Sequence, residues 1–316
     1  MTASNGEKAR LDDAARAGWL YYIAGNTQDQ IAKKLNVSRA TAQRLVSLCL
    51  SERLITFRLE HPIAVCMDLA TKLKTRFALR YCEVVPTDPR APATAGLAER
   101  AAALLERHLQ AEKPIIVGIG TGRAMRAAVD QVPSMNCPNH QLVSLVGNIS
   151  PDGSASAFDA IARLADVTKV RHYPMPLPAF VSSEAEREQL LRINAVSRIR
   201  AIAEKADLRL VGIGQIDRCA QLHVDGFIGR EELLELMRLG AVGEIIGWAF
   251  SAAGQVLDGG TNQRVTSIPL QVPATALTVG AAMGPAKTPA ILAALRGGLL
   301  NGLITDEITA GALLAA

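Results

Sequence analysis

The chain has 316 residues, with 34 Lys+Arg against 30 Asp+Glu for a net charge of +4. That length allows two domains with sizeable cores, while the small overall charge says little about partners by itself. Apolar runs such as PIIVGIG are far too short to span a bilayer, which excludes a membrane role.

Cys49, Cys66, Cys82, Cys137 and Cys219 are an odd, scattered set without a CxxC pair, and no charged-then-apolar signal segment opens the chain. Both features point to a reducing, cytoplasmic setting with cysteines as core filler. Cys137 and His140 form a lone Cys-x-x-His with no second pair, so no metal is expected, and no cofactor either.

In chain order, residues 1–9 read as an unstructured start. Leu11, Ala15, Trp19, Tyr22 and Ile23 then fall at helical spacing, and Gly25-Asn26 ends that first helix. The stretch from Thr27 to Arg58 has the pattern of two helices joined by a tight turn. Ile31 and Leu35 share one face of the first, and Ala32 is small enough for a second helix to approach. Asn36 tolerates the left-handed conformation that the break requires. Beyond Val37, Ser38 suits the N-cap of a helix that turns Ala42, Leu45, Leu48 and Cys49 inward and Arg39, Thr41, Gln43 and Arg44 outward. Such side chains reach base edges and phosphates when the second helix of a helix-turn-helix lies in the major groove.

Gln28, Ser38, Arg39, Thr41, Gln43 and Arg44 are the candidate contacts to double-stranded DNA, the alternative being an ordinary two-helix corner with a solvated polar face. Residues 1–80 hold 13 Lys+Arg against 7 Asp+Glu, so the basic excess lies with this module, as a phosphate-facing surface needs. Residues 54–60 alternate apolar and polar at period two, reading as a strand or small wing from which Arg58 reaches backbone phosphate or simply solvent. Val65, Leu69, Leu73 and Phe77 form a four-residue ladder within 62–80. This helix either pairs with a twin in another subunit or packs on its own domain.

From Tyr81 onward strands and helices alternate. Strands are expected at YCEVVP, PIIVGIG, QLVSLVGNIS, 167–173 and LRLVGIG, with helices at 96–110, 123–131, 156–166 and 184–206. Near-continuous apolar strands between helices predict an α/β domain built on a mostly parallel sheet covered on both faces. Ligands of such sheets bind outside the carboxyl ends of the strands, and three loops there are glycine-rich. The first, Gly118-Ile-Gly-Thr-Gly-Arg123, offers amides and the Thr121 hydroxyl to an anion, a weak signal taken alone against glycines needed merely for a tight turn. It matches neither a dinucleotide fingerprint nor a Walker A loop. The second offers Gln215 and Asp217 to hydroxyls. The third puts Lys287 at the opening of a helix, where a cation is misplaced unless it faces an anion. Glu244 sits in the apolar run GAVGEIIG, where it needs a partner, either a sugar hydroxyl or backbone amides.

The order of SRATAQRLVSLCLSERLITFRLEHP, VGIGTGRAM, LVGNIS, LVGIGQ, RLGAVGEIIGWAF and GAAMGPAKTPAILAALRGGLLNGLITDEITA resembles the SorC family of bacterial transcriptional regulators over nearly the whole chain. The resemblance implies a DNA-binding domain (1–62), a linking and oligomerisation helix (63–80) and a sugar-binding effector domain (81–316) similar in fold to sugar-phosphate isomerases and deaminases. It further implies a homotetramer that controls a carbohydrate catabolic operon in response to a sugar, polyol or sugar phosphate. By position, Gly120, Thr121, Gly122 and Arg123 would form the phosphate-side loop, Glu244 would contact hydroxyls and Lys287 would be the cationic contact; Gly118, Asn148 and Gln215 complete the set of candidate effector-binding residues. Ala124 stands where many relatives carry a hydroxyl residue, and Ser251 where an Asp is common. The first departure implies a weaker phosphate grip or an unphosphorylated ligand.

The other reading is an enzyme acting on a sugar phosphate, since a Lys and a Glu beside a phosphate loop suit proton transfer. Against it stand the basic helix-turn-helix and the lack of any His within the loops: His172 lies outside them and His223 only follows one.

Overall fold

The structure is a computed structural model that describes residues 5–52, 54–55, 63–88, 94, 96–150, 153–154 and 159–316. The chain divides into two compact units, Met1–His61 and Pro62–Ala316.

In the first unit, α1 (Asn5–Gly18) runs into a π-helical turn (Trp19–Ile23), followed by α2 (Gln28–Leu35) and α3 (Arg39–Ser51). Thr27 and Gln30 form a reciprocal capping box on α2. Asn36 ends that helix in the left-handed region at φ 52°, and Ser38 caps α3 by accepting from the Thr41 amide at 3.1 Å. The core joins Ala17, Ile31, Ala32, Ala42 and Val46.

Three details differ from the sequence expectation, the first being that α1 already begins at Asn5, inside the stretch read as an unstructured start. Val46 takes the inward place in α3 beside Ala42 and Cys49, leaving Leu45 and Leu48 half-buried. In α1 the inward face is Ala14, Ala17 and Gly18, so Ala15 is exposed, as are Trp19 at 57% and Ile23 at 64%. Small residues win that face because α1 packs closely on α3: a Cβ on Gly18 would lie 2.2 Å from Cys49 Sγ. The π-turn then shifts the register of the residues that follow. Of the expected wing, residues 56–60, including Arg58, lie outside the described residues, and Leu54 and Ile55 form a bend.

The second unit opens with α4 (Ala64–Phe77), which packs on its own domain against β1 (Tyr81–Val85) and the carboxy-terminal helix. Cys66 and Leu73 are buried there, while Val65 and Met67 remain exposed. The order continues α5 (Leu97–Leu109), β2 (Ile116–Ile119), α6 (Arg123–Val129), β3 (Gln141–Ile149), α7 (Ile161–Thr168), β4 (Arg171–Pro178), α8 (Glu184–Leu191), α9 (Asn194–Glu204) and β5 (Leu208–Gly212). After β6 (Gly214–Gln215) come α10 (Gln221–Val224), α11 (Arg230–Arg238), β7 (Ala241–Ile245), β8 (Trp248–Ser251), β9 (Leu277–Ala281), α12 (Thr288–Arg296), β10 (Gly302–Asp306) and α13 (Glu307–Ala315).

Seven strands form one parallel sheet in the order β1-β10-β9-β5-β2-β3-β4. From β2 the chain builds outward through β3 to β4, then returns to lay β5 on the other side of β2, so the topological switch falls between β2 and β5. The fourth strand lies later than expected because α7 runs on to Thr168. Pro174, Pro176 and Pro178 sit in it at period two, so their missing N–H groups share one side of the strand, which an edge position tolerates. A second, antiparallel sheet, β6-β7-β8, was not expected from the sequence.

Candidate effector cavity and recognition helix

Beside the switch point, the carboxyl ends of β2, β5 and β9 open into a cavity of ≈ 560 Å3. Thr121, Gly122, Arg123 and Ala124 line it from the start of α6, Ile213, Gly214 and Gln215 from β5–β6, and Met283 and Lys287 from the loop before α12. The β7–β8 hairpin contributes Glu244, Ile246 and Gly247. Ile246 (φ 47°) and Gly247 (φ 89°) are the two turn residues of that hairpin. A β-branched residue at positive φ costs on the order of 1–3 kcal/mol and persists only where surroundings hold it. Here the turn presents the Gly247 amide to Glu244 Oε2 at 2.8 Å.

Glu244 therefore has one of the two partners its sequence position called for, a backbone amide. Burial pushes its carboxyl above the ordinary range, against the pull of that amide and of Lys287. Burial likewise pushes the Lys287 ammonium down, against the pull of Glu244. Among the described residues the two charges form no ion pair with each other, yet each feels the other across the cavity. Gly214 makes room for the acid, since a Cβ there would meet Glu244 Oε1 at 2.1 Å. Next to it, Gln215 Oε1 is buried without a hydrogen-bond partner. An acceptor in that state fits a ligand that brings a donor.

Of the residues singled out in the sequence, Thr121, Gly122, Arg123, Gln215, Glu244 and Lys287 thus line one cavity. Gly118, Gly120 and Asn148 are not among the lining residues. Gly118 lies within β2 against Leu145, where a Cβ would come to 2.7 Å of its side chain, and Gly120 backs onto Ile246. Asn148, near the end of β3, donates to Asp159 at 3.4 Å. Asp217 is spent on its own turn, accepting from the Cys219 amide at 2.8 Å.

Other lining residues gave no signal in sequence: Phe180, Phe227, Gln221 and Asp225. The Asp225 carboxylate holds Arg123 through two hydrogen bonds of 3.0 and 2.7 Å, and Gln221 Oε1 accepts from the same guanidinium. His140, singled out with Cys137, accepts from the Ile115 amide at 3.2 Å and serves the fold.

In the first unit, Arg39, Ala40, Gln43, Arg44 and Ser47 are exposed on α3. Ser38 and Thr41 are largely used within the cap, their hydroxyls 2.9 Å apart. Arg39 meets Asp29 at 3.4 Å, an exposed pair of small energetic weight. Ala40 and Ser47 share the exposed face of Gln43 and Arg44. Gln28, the first residue of α2, is half-buried.

A helix-turn-helix unit followed by an α/β domain whose strand-end cavity gathers Gln215, Glu244 and Lys287 defines a ligand-responsive DNA-binding regulator. Residues 61–315 match the family model described as "Putative sugar-binding domain". The erythritol catabolism regulatory protein EryD of Brucella abortus (strain 2308) is 35% identical over 310 residues, 97% of this chain and 98% of that one. Transcriptional regulator LsrR of Escherichia coli (strain K12) is 31% identical over 311 residues, covering 96% and 94%. The full-length sorbitol operon regulator SorC from Klebsiella pneumoniae superposes with a TM-score of 0.73 at 25% identity, over 99% of this chain and 100% of that one. The chain belongs to the SorC family of sugar-binding transcriptional regulators. Its relatives are named as regulators, which sets it apart from the enzyme alternative. Among the described residues no helix is long and apolar enough to cross a membrane.

Proposed function

We propose that this regulator senses a small polyhydroxylated effector in the strand-end cavity and that occupancy sets the grip of α3 on operator DNA. The observation that carries the effector reading is the buried, unpartnered Gln215 Oε1 beside Glu244 and Lys287. Hydroxyl groups both donate and accept, so one ligand can satisfy the amide oxygen, the carboxylate and the ammonium together. On α3, Arg39, Gln43 and Arg44, with Ala40 and Ser47, form the face offered to the major groove, while Gln28, Ser38 and Thr41 stand beside it at the backbone.

Residues 1–62 act as the operator-binding part and 81–316 as the sensor. The segment 63–80, which holds α4, transmits the change, in a homotetramer working in the cytoplasm on a carbohydrate catabolic operon. A ligand shifts DNA affinity only through a difference in its own affinity for the two arrangements.

The test is a thermal-shift panel of sugars, polyols and their phosphates on the full chain. A ligand at ~100 times its Kd stabilises the folded state by about 2.7 kcal/mol. One class of compound should raise the melting temperature of the wild type and leave Lys287→Ala unmoved. A panel that moves neither protein removes the effector reading. Sedimentation of the chain at micromolar concentration tests the tetramer, and a dimer would contradict it.

A further inference from the structure

Arg123 is the cation best shaped for an anion in this cavity, because a guanidinium fork matches a carboxylate or a phosphate with two parallel hydrogen bonds. In this chain the fork is engaged from within. Asp225, in the loop after α10, accepts from both terminal nitrogens at 3.0 and 2.7 Å, and Gln221 Oε1 accepts from one of them as well. The Asp225 side chain is only 16% exposed, so its charge is partly withdrawn from water and depends on Arg123 as its partner. Both residues line the cavity. Among the described residues, the charged groups on its wall are Arg123, Lys287, Asp225 and Glu244, two of each sign.

We propose that Asp225 is a specificity-determining residue that keeps phosphorylated ligands out: its carboxylate occupies, as a built-in anion, the guanidinium face that a phosphate ester would need. This rests on the reading of the cavity as an effector site and narrows the effector to an unphosphorylated polyhydroxy compound. A phosphate reaching Arg123 must displace Asp225, leaving that carboxylate without its partner and next to a second anion. A neutral polyol makes no such demand. It meets Gln215, Glu244 and Lys287 with the Arg123–Asp225 pair intact.

Isothermal titration calorimetry on the full-length wild type, Asp225→Asn and Asp225→Ser tests this. The probes are erythritol and D-sorbitol, their matching phosphate esters D-erythritol 4-phosphate and D-sorbitol 6-phosphate, and inorganic phosphate. In the wild type a free polyol should bind at least ~10-fold more tightly than its ester, and inorganic phosphate should give no binding heat. Either Asp225 variant should gain at least ~10-fold in affinity for an ester or for inorganic phosphate, and adding Arg123→Gln should abolish the gain. The serine variant keeps the test open should the asparagine variant misfold.

A wild type that binds an ester as tightly as the free polyol overturns the proposal, as do folded Asp225 variants that gain no affinity for ester or inorganic phosphate. Should neither polyols nor esters bind the wild type, the effector reading fails for these compounds. Inorganic phosphate on the Asp225 variants still decides the role of Asp225, a gain supporting it and no gain refuting it.

Discussion

Gly214→Ala is the sharpest perturbation of the cavity that leaves every charged group in place. The added Cβ would stand 2.1 Å from Glu244 Oε1, 2.9 Å from Cδ and 3.0 Å from Cγ, so the whole acid side chain must move. Moving it breaks the 2.8 Å hydrogen bond from the Gly247 amide, and a bond to a charged group contributes about 1.5–3 kcal/mol. Overpacking a filled site costs about 1–3 kcal/mol. Against these losses, a carboxylate expelled toward water recovers hydration, so the net destabilisation expected is about 1–3 kcal/mol.

The effector loses a hydrogen-bonding partner at the same time, which predicts a ~10-fold to ~100-fold weaker ligand response. Urea unfolding measures the first quantity and ligand-induced thermal shift the second. In Gly214→Ala/Glu244→Ala the clash is gone, so the double variant should be more stable than the sum of the single effects by about 1–2 kcal/mol, with no ligand response restored. A Gly214→Ala protein that unfolds and responds to ligand like the wild type refutes the placement of Glu244 against β6.

Further outcomes are expected elsewhere. Arg44→Ala should weaken operator binding by about 1–3 kcal/mol if the guanidinium reads a guanine, measured by anisotropy at fixed salt; unchanged binding would reverse the orientation of α3. Ile31→Ala empties a fully buried position in the small core and should cost the DNA-binding unit about 2–5 kcal/mol. Its operator binding should fall at ~37 °C, while the ligand-induced thermal shift of the larger unit persists. The raised Glu244 carboxyl makes the folded state hold more protons than the unfolded chain from about pH 4.3 upward to the raised value. Stability of the ligand-free protein should therefore fall as pH rises through that window, and Glu244→Gln should remove that part of the slope in urea midpoints.

What the sequence makes legible is local. The turn between α2 and α3 follows from Asn36 and Ser38, whose conformational and capping preferences act within a few residues. Glu244 and Lys287 stand out because a charge in an apolar run or at a helix opening is costly without a partner, and both line the cavity. The inward face of α1 does not follow from periodicity. Close packing on Cys49 favours Ala14, Ala17 and Gly18 over the larger Trp19 and Ile23, and the π-turn breaks the 3.6-residue repeat. The small antiparallel sheet escapes because β6 is two residues long and offers no pattern to count. Asp225 meets Arg123 from 102 residues away, a pairing set by the fold alone.

In the proposed mechanism, cavity occupancy controls the hold of α3 on DNA. Its most direct test is fluorescence anisotropy of an operator duplex, selected from a random pool with this protein, titrated with and without the compound that most raises the melting temperature. This compound should change the operator Kd by ~5-fold to ~150-fold in the wild type and not at all in Glu244→Ala. Identical operator affinity with and without the compound in the wild type, at the same salt concentration, would contradict it.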